Sequence, residues 1–176
     1  GNYNKAAEYG RRAIDYIEDD DRALTISLAN MGNIYSKLRD FENADLMADS
    51  SLRVGKKTNV TNSIGRNYVT LGNSRFQQKK YPEALSFFKT GLEQAIRFKN
   101  SKSTISNLYI KMGNIYEVLD SLEKAKENYI KALQIGEGDN DLISNINLSL
   151  SKMFFKEGDY LNAYKYQRDY NLFKDS

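Results

Sequence analysis

Met31-Gly32-Asn33-Ile34-Tyr35 recurs as Met112-Gly113-Asn114-Ile115-Tyr116, with Leu71-Gly72-Asn73 between them and Leu150-Ser151-Lys152 after them. The small residues Gly32, Gly72, Gly113 and Ser151 anchor four units spaced 40, 41 and 38 residues apart. Nine residues past each anchor stands a large apolar or aromatic residue: Phe41, Tyr81, Leu122 and Tyr160. Twelve past it stands alanine: Ala44, Ala84, Ala125 and Ala163. Tyr3 and Ala6 open the chain with the same half-pattern, 38 residues before Phe41 and Ala44. Repeats at such a period signal stacked supersecondary units.

Within a unit the apolar period is helical. Leu28, Met31 and Tyr35 form an i, i+3, i+7 stripe, as do Tyr109, Met112 and Tyr116; Tyr81, Ala84, Leu85, Phe88 and Leu92 form another. Turns fall at Arg39-Asp40, Lys79-Lys80, Asp120-Ser121 and Gly158-Asp159, and polar breaks separate the units. Pro82 suits a first helical turn, where its missing N–H costs nothing. The spacing predicts nine helices and one domain over 1–176: a lone helix at 3–18, then four antiparallel pairs within 21–57, 61–99, 102–136 and 140–174. Glycine, serine and alanine at the repeated positions admit close helix approach, and bulky neighbours fill the space. A helix pair cannot cover its own apolar face, so units must stack. The predicted fold class is all-α, a right-handed α-solenoid of helix pairs.

Composition narrows the chemistry. The chain has 176 residues, 26 Lys+Arg against 23 Asp+Glu, no histidine and no cysteine. Its net charge of +3 is too mild for nucleic acid, which needs a concentrated basic face. Without cysteine there is no disulfide, thiolate nucleophile or zinc ribbon. Without histidine the commonest general base and metal ligand are gone. No run approaches the roughly 18 apolar residues of a membrane span, and no signal-peptide pattern opens the chain. The absence of cysteine leaves periplasm and cytoplasm both open. Gly1 reads as the scar of a removed tag, and a half-unit at the start predicts a piece of a longer protein with neighbouring domains.

Leu/Met-Gly-Asn-x-Tyr, then an aromatic, Ala, Phe88 or Tyr129, and Ala132 resembles the tetratricopeptide repeat across essentially the whole chain. Units of 38–41 residues are longer than the usual ~34. They are similar to family members that hold extended peptides, including kinesin light chains and bacterial quorum-peptide receptors. Arg75 stands where tyrosine is expected, as if exchanged with Phe76; Gln167 and Tyr170 make the fourth unit atypical. The end, Tyr170 to Ser176, resembles the junction in bacterial sensor proteins. There, such units precede a membrane anchor and then a histidine kinase or DNA-binding output domain.

The resemblance implies that the first helix of each pair lines a concave groove, with Asn33, Asn73, Asn114 and Lys152 pointing into it. Each amide offers a donor and an acceptor to the backbone of an extended peptide; asparagine is also common there whatever the ligand. The stretch 61–80 carries Arg66, Arg75, Lys79 and Lys80 and no acid, while Lys37, Lys111, Lys152 and Lys156 hold related places. On one face these would make a positive groove favouring an acidic partner; spread out, they are ordinary solvated lysines. The family's chaperone-binding clamp of Lys, Asn, Lys and Arg is matched only by Asn33 and Lys111, with Ala29, Thr70 and Asn107 at the other places.

Glu18 to Asp21 and Gly136 to Asp141 lack calcium-loop spacing and read as helix caps. No nucleophile–base pair stands out. Asn59-Val60-Thr61 and Asn147-Leu148-Ser149 match the glycosylation pattern. Tyr160, Tyr164, Tyr166, Tyr170 and Phe173 give a terminal helix the exposed aromatic side that a capping helix lacks. The expectation is a non-enzymatic interaction module without cofactor or metal, the sensor or scaffold region of a bacterial regulatory protein. It binds a protein or extended, acidic peptide through Asn33, Asn73, Asn114, Lys152, Arg66, Lys111 and Lys37. The alternative is an intracellular receptor for a small signalling peptide.

Overall fold

The computed structural model describes residues 2–61, 63–135 and 140–174, with backbone alone at 141 and 142. Among the described residues there are nine helices and no strand: α1 (Tyr3–Asp15), α2 (Asp21–Leu38), α3 (Phe41–Lys57), α4 (Ile64–Gln77), α5 (Tyr81–Arg97), α6 (Lys102–Val118), α7 (Leu122–Ile135), α8 (Asn140–Lys156) and α9 (Tyr160–Lys174). The first helix ends three residues before the expected 18. Tyr16 and Ile17 close back onto the carbonyls of Ala13 and Ile14, and Asp19 turns left-handed at φ 53°. The chain forms two compact units, 1–100 with α1 to α5 and 101–176 with α6 to α9.

Each turn inside a pair has one construction. Arg39, Lys79, Asp120 and Gly158 adopt positive φ, which ends the first helix. The next residue's N–H then bonds a carbonyl five residues back, Asp40 to Tyr35, Lys80 to Arg75, Ser121 to Tyr116 and Asp159 to Phe154. Asp40 and Asp159 start the following helix, their carboxylates accepting from the N–H groups of Asn43 and Asn162. Asp20, in the acidic run, caps α2 by accepting from Ala23 N–H at 2.9 Å. Residues 136–139 of the second acidic segment lie outside the described residues.

The anchors sit at pair contacts, each in its own way. A Cβ on Gly32 would lie 3.2 Å from the Ala44 carbonyl oxygen and 3.3 Å from the Ala48 nitrogen, so α2 and α3 meet backbone to backbone. At Gly72 and Gly113 it would enter the rings of Phe88 and Tyr129, which occupy the register position of Ala48. Ser151 instead donates its hydroxyl to the Ala163 carbonyl at 2.9 Å. Ala44, Ala84, Ala125 and Ala163 are buried. In α1 the register holds but the covered face differs. Ala6 is half-buried, and Ala7 packs with Met31, Tyr35 and Ala44.

Candidate functional site

The predicted binding residues fall on first helices, and each unit arranges its own. In the first unit Asn33 and Lys37 stand one turn apart on α2 and are exposed. Arg66 and Asn73 stand seven residues apart on α4, the cation exposed and the amide half-buried. A spacing of four or seven keeps a pair on one helix face. α2 and α4 are packed neighbours, so four predicted residues come from two adjacent helices. Among the described residues neither Lys37 nor Arg66 forms an ion pair, which leaves both charges for solvent or a ligand.

In the second unit the amide is engaged. The Tyr129 hydroxyl lies 2.8 Å from the Asn114 side-chain oxygen and 2.7 Å from Glu117 Oε2. Burial first, then the Glu117 carboxylate, push the Tyr129 phenol well above its ordinary range, so it keeps its proton. One proton serves one acceptor well, and the carboxylate is the stronger. A half-turn of the Asn114 amide, bringing NH2 to the phenol oxygen, would satisfy all three groups. In either orientation one end of Asn114 is spent inside the unit. This amide therefore does not offer both ends to a peptide, contrary to the expectation for each of the three asparagines.

Two cavities flank this network. One of about 200 Å³ is lined by Ile110, Asn114, Tyr129, Asn145, Ile146 and Ser149, so α6 and α8 share a cleft over α7. The other, about 520 Å³, brings Lys152 together with Glu117, Asp120, Leu122, Met153, Phe155 and Lys156. Lys111 is half-buried on α6, one turn from Asn114. The sequence reading missed Glu117, Asp120 and Phe155. Glu117 stands four residues past its anchor, where Ser36, Phe76 and Phe155 stand in the other units, so no repeat signal marks it.

Other charges are spent within the units. Lys126 is buried, and its ammonium reaches Glu123 at 2.7 Å, Glu157 at 2.6 Å and the Phe154 ring centroid at 5.1 Å. Burial lowers its pKa, but the hydrogen bonds to Glu123 and Glu157 outweigh that, and it lies above the ordinary lysine value. Arg75 pairs with Asp45 and Glu83 and lies over the Phe87 ring, while Phe76 meets Tyr81 edge-on at 5.5 Å. Among the described residues no group of three Asp or Glu side chains is placed to hold a metal ion. No described helix is long and apolar enough to cross a membrane. Asn147 of the second glycosylation pattern is buried in α8, which closes it to a glycan. Tyr160 and Tyr164 are exposed on α9, Tyr170 and Phe173 are half-buried, and Tyr166 stacks on Phe154 at 5.5 Å.

The sequence profile named Tetratricopeptide repeat matches residues 106–136, which contain α7 and most of α6. No curated protein matches the sequence. Among solved structures, BtubC (BKLC) from P. vanneervenii superposes with a TM-score of 0.79 at 18% identity over 99% of this chain and 74% of that one. A signal transduction ATPase with numerous domains from Pyrococcus horikoshii, which carries a tetratricopeptide repeat sensor, gives 0.78 at 19% over 98% and 27%. The Rap conjugation gene regulator of plasmid pLS20, in complex with the Phr* peptide, gives 0.77 at 18% over 96% and 48%. The chain thus spans half or less of the length of the last two. Its fold is that of the tetratricopeptide repeats.

Proposed function

We propose that this chain is a non-catalytic module that binds an extended, acidic polypeptide segment on the first helices of its pairs, as the sensor or scaffold region of a regulatory protein. The observation that carries this reading is the charge on α2, α4, α6 and α8. Each carries two Lys or Arg and at most one Asp or Glu, eight cations against three acids, with Arg75 among the cations spent on Asp45 and Glu83. Asn33 and Asn73 supply hydrogen bonds indifferent to ligand sequence, and Lys37, Arg66, Lys111 and Lys152 select for acidity. The peptide complex of the Rap regulator supports a polypeptide ligand for this fold. An array of immobilised acidic, neutral and basic peptides tests the reading. Acidic peptides should be retained and released by salt; retention of neutral and basic ones alone would sink it.

A second reading, a receptor for a small signalling peptide, is favoured by the cleft between α6 and α8. Its volume of about 200 Å³ suits one or two side chains rather than a protein surface. Saturable binding of a short free peptide, not only of a protein, separates this reading from the first.

A further inference from the structure

The 520 Å³ cavity of the second unit holds two carboxylates and two ammonium groups from different elements. Glu117 comes from the end of α6 and Asp120 from the turn after it; Lys152 and Lys156 stand one turn apart on α8. Among the described residues none of the four is in an ion pair, although Lys126 and Lys131 of the same unit both are. Opposite charges lining one cavity without closing on each other remain available to a ligand that carries both signs. Glu117 is also held in place, since the buried Tyr129 hydroxyl fixes one carboxylate oxygen and leaves the other. Leu122, Met153 and Phe155 line the space beside the charges. Phe155 is 65% exposed, yet its ring is steadied edge-on by Tyr160 at 5.5 Å.

We infer that this cavity is a pocket for an arginine side chain of the bound polypeptide, flanked in that polypeptide by acidic residues. The inference rests on the reading of the chain as a polypeptide binder and adds a specificity pocket to it. The three methylenes of arginine would lie along Leu122 and Met153, as long cationic side chains do on apolar surface. The planar guanidinium presents five donors in a fork, enough for Glu117 and Asp120 together, and its face stacks on Phe155. Lys152 and Lys156 then meet the carboxylates on either side of the arginine. A purely acidic segment would leave Glu117 and Asp120 facing like charges. The pocket therefore makes the ligand acidic in sum and basic at one point.

The test uses two fluorescein-labelled probes, a blocked Glu-Glu-Arg-Glu-Glu peptide and the same peptide with citrulline, which keeps the shape and removes the charge. By fluorescence anisotropy the arginine probe should bind about tenfold tighter, the factor that one charge-assisted contact supplies. Glu117→Gln and Asp120→Asn should each shrink that ratio toward one. Asp120 has φ 54°, a conformation asparagine accepts, so the second variant keeps the fold even if the first disturbs Tyr129. Equal saturable binding of both probes would overturn the pocket and leave polypeptide binding standing. A ratio that both variants leave unchanged would overturn it too, as would no binding of either probe beside a positive peptide array. A negative array strikes the underlying reading itself.

Discussion

Arg75 on α4 pairs with Asp45 on α3, the residue directly after the repeated Ala44. In the second unit the residue directly after Ala125 is Lys126, and it reaches forward to Phe154 and Glu157 at the end of α8 and just beyond. Arg75 and Phe154 are each three residues past their anchors. Both contacts join one pair to the next at the same register, with the cation on the incoming helix in the first case and on the receiving helix in the second. That exchange accounts for arginine where the family resemblance implies tyrosine. The cation grips Asp45 and stacks on Phe87, so the aromatic moves to Phe76.

Removing Arg75 should therefore cost more than a surface charge does. Its side chain and that of Asp45 are 22% and 21% exposed, between the exposed and buried limits. Arg75→Leu should destabilise the protein by about 2 kcal/mol in urea unfolding, because Asp45 loses its partner while still largely covered. Adding Asp45→Ala should recover part of that loss, since no carboxylate is then left unpaired. A double variant no more stable than Arg75→Leu would show that packing, not charge, holds the contact.

Overpacking tests the anchors. Ala84 and Ala125 have no exposed surface and sit at the pair contacts that place Phe88 and Tyr129 against Gly72 and Gly113. Ala84→Leu or Ala125→Leu should cost about 1–3 kcal/mol, measured by thermal or urea unfolding. Ala6→Leu, at the same register but half-buried on α1, should cost less than either.

Asp49 offers a pH test with a definite sign. Asp49 is exposed, and partial loss of solvent first, then the charge of Asp45, raise its pKa above the ordinary carboxylate value, against the pull of Arg75. A carboxyl whose folded pKa is raised weighs against the folded state above that pKa, and the penalty fades as pH falls through it. Asp49→Asn should therefore raise Tm at pH 7. The gain should disappear near pH 3, where the native aspartic acid is neutral too. An equal gain at both pH values would point to helix propensity instead.

Helix number, pair turns and anchor packing were legible because each rests on a local requirement repeated in register. Gly32, Gly72 and Gly113 admit a neighbour, and Arg39, Lys79, Asp120 and Gly158 each follow the last turn of a first helix. Ala6 keeps the register yet is only half-buried, since the register describes what a helix carries, not which neighbour covers it. The candidate binding residues were legible only as positions. Asn33, Asn73 and Asn114 hold one place in three successive repeats, but Tyr129 engages Asn114 alone, because the first repeat has Ala48 at the tyrosine's place and the second has Phe88. Neither of those side chains has a hydroxyl. Glu117 gave no signal and Asp120 was legible only as a turn residue, since a pocket between a helix end, a turn and another helix has no period.

Arg66 and Asn73 share α4 and should fail in different ways. Arg66 is exposed and in no ion pair among the described residues, so its charge acts through solvent. Arg66→Glu should mainly slow association with an acidic peptide, and the difference should shrink with salt, because exposed charges are screened beyond about 8 Å at physiological ionic strength. Asn73 is half-buried, and on the proposed reading its amide would hydrogen-bond the ligand backbone whatever the ligand's charge. Asn73→Ala should weaken acidic and neutral ligands alike, by about 1 kcal/mol for each hydrogen bond lost, chiefly through faster dissociation. Surface plasmon resonance at two salt concentrations resolves both effects. Binding by both variants at the parent's rates would move the ligand off α2 and α4, leaving the first unit to serve through another face.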